Sequence, residues 1–354
     1  VTETSSSRET ATGKPASRLP GLKAVASTIL SVAVTFFGLL LVTFLIGRVM
    51  PIDPVLVVVG ERASPEIYAK AVKELGLDQP IYIQFLDYIG KVLTGDFGKS
   101  LLTARPVLED MARVFPATLE LATVATIFGV FLGIPAGVIA AVNQGRWPDH
   151  LIRLVALFGY SLPVFWLALI ALLVFYSELG WVAGFGRLDI FYEDIVPAVT
   201  GMILVDSLLA GDMEVFNNAV SHIILPSAVL GYFSLAYIAR MTRSFMLEQL
   251  RQEYVTTARV KGLSESRVIW YHALGNVMVP LITVVALSYA FLLEGSVLTE
   301  TVFAWPGLGF YITNSLLSAD LNAVLGGTIV VGAAFIGINL LSDLLYKLVD
   351  PRTH

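Results

Sequence analysis

Six stretches of this 354-residue chain run for about twenty residues with few or no charges: 25 to 47, 118 to 142, 152 to 176, 222 to 245, 277 to 298 and 324 to 346. An α-helix needs roughly 20 apolar residues to cross the ~30 Å hydrocarbon layer of a bilayer. Inside that layer each backbone N–H and C=O must be satisfied within the protein, which leaves helices and closed barrels. The ten-residue alternation of a barrel is absent, so the chain reads as an all-α membrane protein with six transmembrane helices. Composition agrees, with 56% hydrophobic and 14% charged residues, where a soluble domain is about one-quarter charged. The internal prolines Pro135, Pro163, Pro226 and Pro280 fit this reading, because neighbouring helices can re-satisfy the freed backbone groups.

Val1 to Pro20 is rich in Ser, Thr, Ala and Arg and has no apolar periodicity, so residues 1–20 read as a disordered cytoplasmic tail ahead of a single transmembrane domain over 21–354. The apolar run that follows is too long for a signal-peptide core and lacks a small-x-small cleavage site, and is expected to stay as the first helix. Positive charge sets the orientation. Fourteen of the 23 Lys and Arg residues lie in the tail, the second and fourth connections with the adjoining helix end, and the C-terminus. Both termini are therefore expected on the cytoplasmic side. The third connection is acidic (Glu178, Asp189, Glu193, Asp194) and faces outward. Within it, 196–210 is apolar but short and contains Asp206, which suggests a re-entrant or interfacial segment. The long external loop, 48–117, has helical charge spacing around SPEIYAKAVKELG and QPIYIQFLDYIGKVL and should form two short amphipathic helices. These either receive an external partner or shield the bundle.

Several chemistries are excluded. The net charge is −5, and no basic patch is interleaved with aromatics, which argues against nucleic acid. With no cysteine and no two of the four histidines at ligand spacing on one helix face, a metal site has no support. GDFGKS (Gly95 to Ser100) ends like a phosphate-binding loop, but its glycines are separated by two residues where a Walker loop needs four. No nucleophile and base can be assembled, so no catalytic residue is expected.

Three features remain as functional candidates. Gly129, Gly133 and Gly137 recur every four residues, leaving one helix face open to close approach by another backbone. That face is either a static packing seam or a sliding surface. Glu294 is the most conspicuous intramembrane charge, and it either faces a cavity or lies near the outer mouth where water reaches it. Asp343 is expected to pair with Arg240 or Arg243. The third feature is Leu247 to Pro280, inside a cytoplasmic loop over 246–276. Helix formers run to Val260, Gly262 breaks the helix, and a second amphipathic helix is expected from Ser264 as N-cap to Leu274. Such a segment either docks into a groove of another protein or is a basic loop held at the membrane surface.

EYVTTARVKGL followed by ALGNVMVPLIT resembles the cytoplasmic coupling loop of permease subunits of ATP-binding cassette importers, in the dipeptide, oligopeptide and nickel subfamily. Three further blocks resemble the same subfamily in order: LGLDQPIYIQFLDYIGKVLTGDFGKSLLTARPV, FPATLELA, and TETVFAWPGLGFYITNSLLSAD leading to NLLSDLLYKLVDPR. The WPGLG block resembles the first of the two paired permeases. The resemblance implies a type I importer permease fold in a bacterial inner membrane, forming half of the path for di- or oligopeptides. It implies as partners a second permease in a heterodimer, two ATPase subunits that hold ATP and Mg²⁺, an extracytoplasmic substrate-binding protein and the surrounding membrane lipid, with no cofactor in this chain itself. Aligned on Gly262, Thr256, Thr257 and Ala258 fall on the Glu-Ala-Ala triplet of the general importer motif, with Arg259 and Lys261 beside them as ATPase-coupling residues. Only the third of the triplet is kept, and the later Leu-Pro falls on Leu274-Gly275. Glu294 stands where relatives commonly have a small residue, and Ile52 replaces a turn glycine. Relatives are associated with dipeptides, longer peptides, glutathione, nickel complexes and some oligosaccharides. The rival from another class is a carrier driven by an ion gradient with Glu294 as its ion site. It predicts inverted repeats and several buried ionisable groups, where the sequence offers no convincing repeat and one such group.

Overall fold

The computed structural model describes residues 20–49, 54–60, 62–74 and 76–349. The expected tail through residue 19 and Ile52 lie outside the described residues. The helices, in chain order, are α1 (Pro20–Val49), α2 (Pro54–Val59), α3 (Pro65–Glu74), α4 (Ile81–Leu93), α5 (Val107–Val142), α6 (Trp147–Ser161) and α7 (Val164–Ala171). A π-helical turn (Leu172–Glu178) follows, then α8 (Ile203–Ala210), α9 (Met213–Gln249), α10 (Glu253–Val260) and α11 (Glu265–Arg267). Another π-helical turn (Val268–Ala273) leads into α12 (Leu274–Val302), followed by α13 (Leu308–Leu317) and α14 (Leu321–Val349).

Proline punctuates the long loop between α1 and α5. Pro54 and Pro65 open α2 and α3, while Pro80 and Pro106 stand just before α4 and α5, positions where the missing N–H costs nothing and the fixed φ suits a helix start. The loop therefore holds three short helices rather than two; α3 and α4 are the expected pair.

Five helices among the described residues are long and apolar enough to cross a membrane, and a bent pair makes a possible sixth. The pair is the expected third span, 152 to 176. It is broken, with α6 and the run from Val164 to Glu178 inclined at 106°. Pro163 forces the break: the residue before a proline is pushed out of helical geometry, and Leu162 sits at φ −92°, ψ 133°. Pro116, Pro135, Pro226 and Pro280 are instead carried inside continuous helices. The second and fourth spans are longer than expected. At 1.5 Å per residue, the 36 residues of α5 and the 37 of α9 extend about 54 to 56 Å, well beyond the ~30 Å of hydrocarbon. The first turns of α5 are packed, with Val107 and Met111 buried against Leu308 and Ala323. The short amphipathic helix expected from Ser264 to Leu274 is not a separate element; it is the start of one 38-residue span, Glu265–Val302.

Helices α5, α9 and α12 form the centre. One cluster, at the end that holds Trp305, joins Leu121, Ala125, Leu230, Leu292 and Trp305, and a second near the opposite end joins Val138, Ile238, Met246, Val277 and Leu281. Hydrocarbon outside is as apolar as these side chains, so close packing rather than water exclusion must hold the span interiors together. The glycine face supplies it. A methyl group added at Gly133 would lie 3.0 Å from the Leu235 carbonyl oxygen, and one at Gly137 would lie 2.5 Å from Thr242 Cβ and 2.6 Å from the Ala239 carbonyl. Gly231 of α9 reciprocates, with Ala125 O 2.7 Å from the equivalent point. At the level of Gly129, Ser234 of α9 hydrogen-bonds Ser288 of α12 at 2.8 Å, so three helices meet there.

Candidate functional site

Segment 253–267 hangs between the two longest central spans. Helix α9 ends at Gln249, and α10 follows after a three-residue turn. Tyr254 donates its hydroxyl hydrogen to Gln249 Oε1 at 3.0 Å, fixing α10 to the end of α9. Val255, Ala258 and Val268 are buried together, with Tyr254 and Leu263 against them. Gly262, at φ +79° and with open space around its Cβ position, turns the chain back. Across that turn Arg259 grips Glu265 through two bonds, Nε to Oε1 at 2.8 Å and Nη2 to Oε2 at 3.2 Å. These contacts make 253–267 a compact knuckle joined directly to α9 and α12.

Its outer face is open. Thr256, Thr257, Arg259, Val260 and Lys261 are exposed, and Val260 is 82% exposed. Thr257 donates to the Glu253 carbonyl at 3.0 Å, which leaves its methyl outward. Ala258 differs from the expectation that it meets a partner: it is 8% exposed and turned against Val255 and Val268. Its small side chain lets α10 lie close to the π-helical turn. Ser264 occupies the N-cap position with extended φ and ψ but makes no side-chain capping bond.

Behind the knuckle, Arg243 of α9 makes a bidentate pair with Asp149 of α6, Nε to Oδ1 at 2.6 Å and Nη2 to Oδ2 at 2.8 Å. Asp149 also accepts the Gly145 N–H at 3.0 Å. The expected partner, Asp343, has its side chain outside the described residues, and Arg243 is engaged by Asp149. Arg240 lies over the Tyr160 ring, 4.8 Å from its centroid.

At the opposite end, buried carboxylates tie helices and turns together. Glu300, with 0% exposure, accepts the Thr118 hydroxyl at 2.7 Å and the Ser296 hydroxyl at 2.9 Å on Oε1, and the Phe310 N–H at 3.0 Å on Oε2. Thr118 Oγ1 in turn accepts the Leu308 N–H at 2.7 Å, and the Trp305 indole N–H donates to Ala117 O at 2.9 Å. The WPGLG turn is thereby fastened to α5, and Glu300 satisfies the start of α13. One turn along α5, Glu120 binds Arg187 at 2.5 Å and the Leu204 N–H at 2.7 Å, while Arg187 donates to Gly201 O at 3.0 Å. Asp206 accepts the Thr200 N–H (2.8 Å), the Thr200 hydroxyl (2.7 Å) and the Gly201 N–H (3.0 Å). Burial opposes its charged form, but these donors prevail and hold its carboxyl below the ordinary value. Segment 196–210 is thus an irregular stretch and one short helix pinned to α5. The GDFGKS serine is used structurally, Ser100 donating to Asp320 Oδ2 at 2.6 Å.

Glu294 is exposed in this single chain and has no hydrogen bond or ion pair among the described residues. It lines a small apolar cleft of about 30 Å³ with Leu293, Val297 and Phe335. Among the described residues the long helices bury Asp110, Glu120, His222 and Glu300, and the shorter α6 buries Asp149; the sequence reading put Glu294 ahead of all these carboxylates. Each of these carboxylates accepts at least two hydrogen bonds and His222 is held by the Asn218 carbonyl and Asp189, the pattern of structural groups rather than of an ion site.

Comparison with known proteins places this architecture. The profile of the family described as binding-protein-dependent transport system inner membrane component matches residues 133–354. That of the N-terminal part of binding-protein-dependent transport system membrane components matches 22–122. The di/tripeptide transport system permease protein DppB of Pseudomonas aeruginosa is 47% identical, over 90% of this chain and 94% of its own. The probable D,D-dipeptide transport system permease protein DdpB of Escherichia coli is 46% identical, over 89% and 92%. Among solved structures, an inward-facing form of the MetNI methionine ABC transporter aligns with a TM-score of 0.47 and 17% identity, over 66% of this chain and 93% of that one.

Proposed function

We propose, from the premise that this chain belongs to the family of binding-protein-dependent transport system inner membrane components, that it forms half of an ATP-driven import path for di- and oligopeptides across a bacterial inner membrane. The observation that carries the mechanism is the exposed face of α10 on a knuckle fastened to both α9 and α12. A push on that face cannot be absorbed locally. The helix is clamped at both ends, so displacement passes into α9, which packs on the glycine face of α5, and into α12, which is bonded to α9 through Ser234 and Ser288.

In this reading the other half of the path is a second permease. Two ATPase subunits bind ATP and Mg²⁺ and dock on Thr256, Thr257, Arg259, Val260 and Lys261, with Gly262 setting the angle. A binding protein delivers cargo on the opposite side, and both termini lie with the ATPases. Names of the similar proteins favour peptides over nickel complexes, glutathione or oligosaccharides as cargo. Family membership weighs equally against a self-sufficient ion-driven carrier.

The test is uptake of labelled peptides into proteoliposomes holding this chain, its partner permease, the ATPases and the binding protein, each omitted in turn. Uptake that requires ATP and all components supports the reading. Movement of solute by this chain alone down an ion gradient refutes it.

A further inference from the structure

Between the last turn of α1, one face of α4 and the first turns of α14 lies a cleft of about 320 Å³, at the small end of the range for small-molecule sites. It sits at the end of the bundle opposite α10, where α1 finishes and α14 begins. Its lower wall is hydrocarbon, with Phe44 from α1 and Leu325 and Ile329 from α14. Its upper wall carries four charges, Arg48, Lys91, Asp87 and Asp96. Among the described residues none of the four is in an ion pair. Arg48 merely lies over the Phe44 ring at 5.3 Å, and Asp96 accepts one hydrogen bond on Oδ1, from the Gly98 N–H at 3.0 Å.

The pattern on α4 has a matching logic. Gln84, Asp87, Tyr88 and Lys91 follow i, i+3, i+4 and i+7 spacing and line the cleft, while Tyr82, Leu86 and Leu93 are largely exposed elsewhere on the helix. A helix with one charged face and one open apolar face lies at a membrane–water boundary. Two cations and two carboxylates around one space, above an apolar floor, complement a molecule that holds an anion and a cation close together on an apolar tail. Carboxylates bind best to groups that donate N–H, whereas a quaternary ammonium prefers aromatic faces.

We infer that this cleft seats the headgroup of a phospholipid bearing both a phosphate and a free amine. The phosphate lies at Arg48 and Lys91, the amine faces Asp87 and Asp96, and the tails run along Phe44, Leu325 and Ile329. A dipeptide has the same two charges, but the position beside the ends of α1 and α14 and the apolar floor favour lipid. The bound lipid fills the space between α1 and the rest of the bundle.

The test places the full chain in nanodiscs containing phosphatidylethanolamine, phosphatidylglycerol and phosphatidylcholine in equal parts, then reads retained lipid by native mass spectrometry. Phosphatidylethanolamine is retained over both others. Asp87→Asn lowers its ratio to phosphatidylcholine by about two- to fivefold, the size of one partly exposed ion pair, and Lys91→Gln lowers retention of every phospholipid. Both positions are exposed, so these variants keep the fold. Equal retention of the three lipids, or an unchanged ratio in Asp87→Asn, overturns the inference. Displacement of the retained lipid by dipeptide assigns the cleft to cargo and overturns it too.

Discussion

A carboxyl group without water around it must find its hydrogen-bond partners within the protein, and Glu300 shows how they are assembled. Two hydroxyls and one backbone N–H meet it, and because Thr118 Oγ1 already accepts the Leu308 N–H, its own hydrogen points to Glu300. Glu300→Ala strands the Thr118 hydroxyl and the Phe310 N–H, each left unpaired at a cost of about 1 to 3 kcal/mol, while Ser296 turns to the Leu293 carbonyl; it should lower the unfolding temperature measured in detergent. Glu300→Gln is expected to fall between, since its amide offers an acceptor at one end and opposes a donor at the other. An unfolding temperature unchanged in Glu300→Ala would show the network to be slack. Asp206 gives a prediction in pH. Its folded pKa is depressed, so its contribution is complete above the unfolded value of roughly 3.9 and disappears as pH falls through the lower folded value. The stability difference between the native chain and Asp206→Asn should therefore be constant above about pH 5 and shrink below about pH 4. A difference independent of pH over that range contradicts the assignment.

At the scale of elements, the seam between α5 and α9 was legible because its signal is local: glycine at every fourth position opens one face whatever it meets. Gly133→Leu should cost about 1 to 3 kcal/mol by overpacking against Leu235 and Ile238, read as loss of a monodisperse peak on size exclusion together with a lower unfolding temperature. Gly38, with no atom within 4 Å of its Cβ position, tolerates Ala as a control. Other elements were hidden for physical reasons. The first turns of α5 carry Glu109, Asp110 and Arg113, so a search for uncharged runs stops at the bilayer edge although the helix does not. The break at Pro163 was masked because the sequence is equally apolar on both sides of it. Glu300 reads as a solvated residue near a helix end, and the partner that buries it, Thr118, lies 182 positions away. Ala258, the retained third residue of the triplet, packs against its own chain at Val255 and Val268, contacts that no local sequence pattern displays.

For the whole molecule, the exposed face of α10 and the clamp behind it separate two kinds of failure. Arg259→Glu reverses a charge on the outer face and removes the grip on Glu265, while Val260→Asp alters the outer face alone. Val260→Asp should reduce ATP-dependent uptake about tenfold, equivalent to roughly 1.4 kcal/mol of docking energy, with the chain still inserted and its unfolding temperature unchanged. Arg259→Glu should lose uptake and also loosen the knuckle, detectable as faster amide hydrogen exchange over 253–267. Normal uptake in both variants removes α10 from the coupling route.

The contacts between α5 and α9 also bear on how the chain is made. Gly129 meets Ser234, and Gly137 meets Thr242, so two neighbours that run in the same direction are separated by about a hundred residues of intervening sequence. At about 5 to 20 residues per second, α5 leaves the ribosome roughly 5 to 20 seconds before its neighbour exists. During that interval its bare glycine face has none of its final partners, and Glu120 waits for Arg187 and Leu204, 67 and 84 residues further on. Arrested nascent chains ending between residues 150 and 210 should therefore be the most protease-sensitive stage of biogenesis, with protection returning once α9 has emerged.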